Sequence, residues 1–269
     1  MTAQNVDLIL FMGQSNMAGR GEASEAPKVQ AGTAFEFRSI SDPTKLYPLS
    51  EPFGVYENNE ESGISEKTKT GSMVSAFAME YTPITNRMMI GVSCSKGGTS
   101  INLWQPDGAF LNDAISRYHT AASWLTDNGY TIKHKFMVWC QGETDADHGM
   151  AGEEYRTKLK RMIDAMVSAG LERCYIVRIG CHRDHPALYD EIMLAQTDLC
   201  RTYSNAVLVS TRFASMAAEG LMKDPFHYTQ KGYNITGADA GRNTALHITL
   251  NQEPQLYDPK SQSLYLSRK

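Results

Sequence analysis

The sequence predicts an α/β fold in which a parallel sheet is covered by helices on both faces. Two observations carry this. Short, continuously apolar runs recur along the chain, and the later ones are separated by stretches whose apolar residues fall at helical spacing. A strand that is apolar at every position, not at alternate ones, has both faces buried, which is the situation of a parallel strand between two helical layers.

Taken in order, residues 6–12 (Val-Asp-Leu-Ile-Leu-Phe-Met) form the first strand. Residues 22–72 follow, rich in Gly, Pro, Ser and Glu and without clear periodicity, and read as a long irregular insertion. A segment of that length within a domain is usually a functional lid or a partly ordered insertion. Residues 88–94 and 136–140 are the second and third strands, with a helix over 109–125 between them. Tyr155, Leu159, Met162, Ile163, Met166 and Val167 mark one face of the next helix, and Gly170 stops it. A fourth strand at 174–180, a helix over 186–199, a fifth strand at 206–210 and a helix over 229–246 complete the alternation. The tail, 251–269, has apolar residues on either side of Asp258-Pro259-Lys260-Ser261 and reads as a hairpin packed on the outside. The expected organisation is one domain over 1–269.

The chain has 269 residues, of which 42 % are hydrophobic and 21 % charged, a normal balance for a soluble globular protein. With 26 Lys+Arg against 30 Asp+Glu the formal net charge is −4, and no basic run offers a nucleic acid its phosphate-binding face. No stretch approaches the roughly 20 apolar residues of a membrane span. The N-terminus lacks the basic and apolar regions of a secretory signal. The five cysteines are odd in number and widely spaced, which fits reduced thiols. The expectation is a cytoplasmic protein with no nucleic-acid or membrane partner.

In an open parallel sheet, ligands bind beyond the carboxyl ends of the strands. Gly13-Gln14-Ser15-Asn16 follows the first strand, Ser95-Lys96-Gly97-Gly98-Thr99-Ser100 the second, and Gln141-Gly142-Glu143-Thr144-Asp145 the third. Lys223-Asp224-Pro225-Phe226-His227 comes after the fifth. This concentration of small, polar and ionisable residues at one edge of the sheet points to an enzyme.

Ser15, at a strand-to-helix turn, is either a nucleophile or an N-cap serine. A serine hydroxyl needs a base held by a carboxylate. Asp224 and His227 supply that pair, because a three-residue offset in a stiffened turn brings carboxylate and imidazole to roughly 3 Å. Gly97-Gly98 sits in no phosphate-binding pattern, and a better use is a backbone N–H aimed at an oxyanion, to which Gln141 could add an amide. Glu143 is either a second carboxylate for His227 or a buried residue that orders the loops. Cys181, His182 and His185 match no standard zinc spacing, so no metal is expected, and His182 and Arg183 are read as polar pocket lining. Trp104 is either a sugar-stacking platform or a core residue.

These blocks together resemble a known family. Phe11-Met12-Gly13-Gln14-Ser15-Asn16-Met17-Ala18-Gly19-Arg20-Gly21 is similar to the first block of the SGNH hydrolases, in their sialate O-acetylesterase and acetylxylan esterase branch. Ser95-Lys96-Gly97-Gly98-Thr99-Ser100-Ile101 with Trp104 resembles the second block, and Asp224-Pro225-Phe226-His227 the last. Trp139-Cys140-Gln141-Gly142-Glu143-Thr144-Asp145 resembles the third, which in this branch has Gln-Gly-Glu in place of Gly-x-Asn-Asp. The resemblance implies a three-layer α/β/α sandwich with a flavodoxin-like parallel five-stranded sheet. It also implies cofactor-free ester hydrolysis and a small acetylated carbohydrate as substrate. Carried over, Ser15 is the nucleophile, His227 the base and Asp224 the orienting acid. Ser15 N–H, Gly97 N–H and the Gln141 side chain form the oxyanion hole. The third block keeps Glu143 open as an alternative acid, and sequence does not choose between Gly97 and Gly98. Asn16, Gly98, Trp104, His182 and Arg183 are expected to contact substrate.

Overall fold

The computed structural model describes residues 4–266. Its sheet is built on β1 (Gln4–Gly13), which pairs in parallel with β4 (Met88–Ser95) on one side and β5 (Tyr130–Cys140) on the other. Beyond β5 lie β6 (Cys174–Val177) and β7 (Ala206–Ser210), also parallel. Beyond β4 lie β2 (Ala34–Arg38), parallel to it, and β3 (Asp42–Pro48), antiparallel to β2. The order is therefore β3-β2-β4-β1-β5-β6-β7.

Alternate residues of the central strands enter different cores. On β1, Val6, Leu8, Leu10 and Met12 face one side, and Ile9 and Phe11 face the other. On β5, Met137 and Trp139 join the first side, and Phe136, Val138 and Cys140 the second. The first face is covered by α3 (Ala109–Asp127), α5 (Gly152–Ser168) and α6 (Asp190–Thr202). The second is covered by α2 (Val74–Thr85) and α7 (Gln230–Leu250). The two short helices α1 (Ser15–Ala18) and α4 (Glu143–Asp147) sit at the carboxyl ends of β1 and β5. This is the three-layer α/β/α arrangement expected from sequence.

Three differences have physical causes. The sheet has seven strands and not five, because part of 22–72 is ordered as the β2–β3 hairpin and lengthens it. Within that hairpin the Arg38 guanidinium lies 3.7 Å over the Tyr47 ring and Arg38 Nε bonds Glu36 Oε2 at 3.0 Å. The third strand begins at Tyr130, but only its last five residues are fully buried, and those are the apolar run visible in sequence. α2 has no polar stripe to betray it and carries Pro83 near its end. It packs on α7, where a Cβ at Gly237 or Gly241 would meet Met73 O or Phe77 O at 2.2 and 2.3 Å.

The tail forms β8 (Gln255–Asp258) and β9 (Ser263–Leu266), an antiparallel pair whose Leu256 is buried and whose Tyr257 O accepts a hydrogen bond from Thr211 Oγ1 at 2.7 Å. Among the described residues no helix is long and apolar enough to cross a membrane.

Candidate active site

The register of the sheet brings the first three motif loops together. Gly13 pairs with Ser95 on β4 and with Cys140 on β5, so the turns after these strands start side by side. Gly13 has φ +140, and a Cβ there would stand 2.0 Å from Cys140 O. Only glycine lets β1 leave the sheet at this point. Gln14 N–H then bonds Cys140 O at 3.0 Å and the chain turns directly into α1 at Ser15.

Ser15 Oγ lies 3.0 Å from His227 Nε2, and His227 Nδ1 lies 2.8 Å from Asp224 Oδ2. The other Asp224 oxygen accepts the N–H groups of Phe226 at 3.0 Å and His227 at 2.7 Å, so one carboxylate fixes both the turn and the ring. Partial burial would raise the Asp224 carboxyl, but the hydrogen bonds from Phe226 and His227 outweigh it and hold it below its ordinary value. Burial pushes the His227 imidazole below its ordinary value, and the Asp224 carboxylate only partly restores it.

Glu143 is buried but does not bond His227. Its Oε1 accepts from Asn16 Nδ2 at 2.6 Å, and its Oε2 has no partner among the described residues. Burial raises this carboxyl to about 7 despite the Asn16 bond. Asn16 Nδ2 also donates to Phe226 O at 3.0 Å, and Asn16 Oδ1 accepts from Tyr233 OH at 2.7 Å. Asn16 therefore ties the serine turn to the histidine turn, and its amide is spent on the protein and not left for substrate.

Three further expectations change. Gln141 is fully buried outside the cavity, with Nε2 bonded to Thr99 O at 2.8 Å and to Asp145 and with Oε1 accepting from Tyr155 OH at 3.1 Å. It braces the loops and has no amide hydrogen to give an oxyanion. Gly97 N–H donates to Glu66 Oε2 at 2.5 Å, whereas Gly98, at φ +68 on the cavity wall, has no acceptor for its N–H among the described residues. Trp104 is core: it is fully buried, its Nε1 donates to Thr99 Oγ1 at 3.1 Å, and its ring meets Trp139 edge-on at 5.4 Å.

His182 and Arg183, expected to contact substrate, do not line the cavity. Arg183 N–H donates to Pro225 O at 2.8 Å and its guanidinium pairs with Asp184 at 2.8 Å. His182 Nδ1 accepts the N–H groups of Asp184 at 3.2 Å and His185 at 3.1 Å. Among the described residues no group of three His, Cys, Asp or Glu side chains is placed to hold a metal. Exhaustive chelation is expected to leave esterase activity unchanged, and a loss restored by zinc would contradict the metal-free reading.

Sequence reasoning missed Glu66, which lies in the 22–72 segment where no periodicity or motif marks it. Its carboxylate accepts from Gly97 N–H, from Arg20 Nη2 at 3.1 Å and from Thr68 N–H at 3.0 Å. Burial would raise it, but the Thr68 hydroxyl at 2.5 Å, the N–H groups of Gly97 and Thr68 and the Arg20 charge bring it down to about 2. Beneath it, Arg117 of α3 is fully buried and bonds Glu57 O, Ile64 O, Ser93 O and the Asp113 carboxylate at 2.8–3.1 Å. Lys69 Nζ, also buried, bonds Ser93 Oγ and Ser95 Oγ. The segment is thus pinned from below to the end of β4.

The cavity above Ser15 and His227 has a volume of about 610 Å³ and is walled by Arg20, Glu66, Lys96, Thr144 and Asp147 among others. That is the size of a small-molecule site.

A serine bonded to an imidazole at the carboxyl edge of a mostly parallel, helix-covered sheet is an arrangement found in serine hydrolases. The chain belongs to the carbohydrate esterase, sialic acid-specific acetylesterase family, whose model matches residues 5–244. It is therefore an esterase of carbohydrate-directed type. A protein from Arabidopsis thaliana solved by X-ray crystallography is similar over 88 % of this chain and 96 % of its own, at 21 % identity and a TM-score of 0.64. A carbohydrate acetylesterase from Xanthomonas citri is similar over 92 % of this chain and 57 % of its own, at 15 % identity and a TM-score of 0.54. At these identities the likeness is one of fold. No curated protein matches in sequence.

Proposed function

We propose that the protein removes O-acetyl groups from small acetylated carbohydrates through an acyl-enzyme, with no cofactor. The observation that carries this reading is the run of contacts Ser15 Oγ–His227 Nε2 at 3.0 Å and His227 Nδ1–Asp224 Oδ2 at 2.8 Å on the wall of a polar cavity. Nδ1–H donates to Asp224, which leaves Nε2 as the acceptor for the serine proton. Ser15 Oγ attacks the acetyl carbonyl as His227 takes that proton. The carbonyl oxygen becomes an oxyanion, met by Ser15 N–H and by the free Gly98 N–H, since Gly97 N–H is held by Glu66. Collapse breaks the ester bond, and His227 returns the proton to the sugar oxygen. Water, deprotonated by the same imidazole, then attacks the acyl carbonyl, and collapse breaks the bond to Oγ, releasing acetate as His227 returns the proton to Ser15 Oγ.

Polar walls favour a hydroxyl-rich leaving group over a fatty acyl chain. Acetate release should therefore be measured across acetylated xylo- and manno-oligosaccharides and O-acetyl sialic acids, beside p-nitrophenyl esters of increasing chain length. Turnover falling steeply beyond acetate supports the reading, and preference for long acyl chains overturns it. The base must be neutral to act. With the His227 pKa lowered by burial, kcat/KM is expected to rise with pH through a midpoint below 6.5, the ordinary imidazole value. A midpoint at or above that value would show that the imidazole is not desolvated in the free enzyme.

A further inference from the structure

Nine large apolar side chains are exposed among the described residues, and Phe226 alone of them lines the cavity. It is 39 % exposed, and every other non-glycine residue on that wall is polar or charged. On an otherwise polar wall it is the one apolar face the cavity offers, and so the place for a ligand's apolar face. The Phe226 backbone is anchored, and its ring packs against two neighbours. Phe226 N–H donates to Asp224 Oδ1 at 3.0 Å and Phe226 O accepts from Asn16 Nδ2 at 3.0 Å. The ring meets the His227 ring edge-on at 4.8 Å and the His182 ring at 6.2 Å. A platform already fixed in place costs little entropy to use.

We propose that Phe226 is the surface on which the sugar ring of the leaving group stacks, and that it sets the preference for acetylated pyranosides. This rests on the esterase reading above. The side on which the ring lies follows from proton transfer. His227 must stand within hydrogen-bond reach of the sugar oxygen to protonate it, so the sugar and not the acetyl group lies beside the imidazole, where Phe226 adjoins. A pyranose suits this wall. One face is a patch of C–H bonds that covers an aromatic ring, and its rim carries hydroxyls for the surrounding polar side chains. A fatty acyl chain would need apolar wall on more than one side.

The test compares wild type with Phe226→Ala, Phe226→Leu and Phe226→Trp on an acetylated xylo-oligosaccharide and on ethyl acetate, which has no ring. Phe226→Ala is expected to lower kcat/KM for the sugar ester at least about tenfold more than for ethyl acetate, mainly through KM. Phe226→Leu, which keeps apolar bulk but loses the flat face, should fall between, and Phe226→Trp should retain the wild-type ratio. Equal losses on both esters would mean that the ring only steadies His227, and no loss would mean that the sugar lies elsewhere. Either result overturns the inference while leaving the esterase reading intact. Wild-type enzyme that cleaves ethyl acetate but no sugar ester overturns both.

Discussion

Ser15→Ala is expected to abolish acetyl-ester hydrolysis, with kcat lowered by about a thousandfold or more. The hydroxyl removed is the one 3.0 Å from His227 Nε2, and among the described residues no other hydroxyl or thiol is bonded to that nitrogen. The side chain makes no capping hydrogen bond to α1, where Gln14 is the N-cap residue, so its loss should cost little stability. A thermal melt within a few degrees of wild type would confirm that the variant is folded. Activity within tenfold of wild type in a folded variant would rule out the acyl-enzyme. A serine-directed organophosphonate should label Ser15 in the wild type and nothing in the variant.

Asp224→Asn is expected to lower kcat at least about a hundredfold with a smaller effect on KM. An amide can still accept one of the N–H groups of Phe226 and His227, so the turn should survive. The amide oxygen carries no charge to stabilise the imidazolium, and the amide nitrogen can hold the ring in the wrong tautomer. Glu143→Gln is expected to cost much less, because Glu143 is bonded to Asn16 and not to His227. A second readout separates the two carboxylates. With its pKa raised from 4.5 to about 7 by burial, folded Glu143 keeps a proton that the unfolded chain releases. Its contribution therefore makes wild-type stability decline as pH rises through that window. Glu143→Gln should remove that decline, which melts from pH 4.5 to 8 would show. Asp239, whose carboxyl burial raises to about 6, is present in both proteins and cancels in the comparison. Glu143→Gln as inactive as Ser15→Ala, with Asp224→Asn near wild type, would make Glu143 the orienting acid.

The layers of the fold were legible because each central strand is apolar on both sides, a pattern that only a doubly covered sheet produces. The helices α3, α5, α6 and α7 could be placed for the same reason in reverse, since each presents apolar residues to one face of the sheet. α2 could not, because it is buried on most sides and has no polar face to set the period. The hairpin β2–β3 hid in a polar segment, since its edge strand β3 is largely solvent-facing. At the site, Ser15, Asp224 and His227 could be read because their roles depend on local turns and strand ends. Gln141 and Asn16 could not be assigned from sequence, because an amide gives no sign of whether its hydrogens face a cavity or a neighbouring loop. Here Asp145, four residues from Gln141, and Glu143, 127 residues from Asn16, accept those hydrogens. Glu66 acts through long-range contacts to Gly97 and Arg20 that no local pattern encodes.

The serine and the histidine that meet at 3.0 Å are 212 residues apart in the chain. Between them lie β4, β5, β6 and β7, and a parallel sheet must close each of its crossovers before its two ends can be set in register. Secondary structure can form locally, but the contact between Ser15 and His227 exists only when strands from both ends of the sequence have assembled. Recovery of hydrolysis during refolding should therefore trail the recovery of helical circular dichroism. A ribosome-bound chain that ends before β7 would be structured in part yet lack His227, so Ser15 would have no base to activate it toward the esters around it.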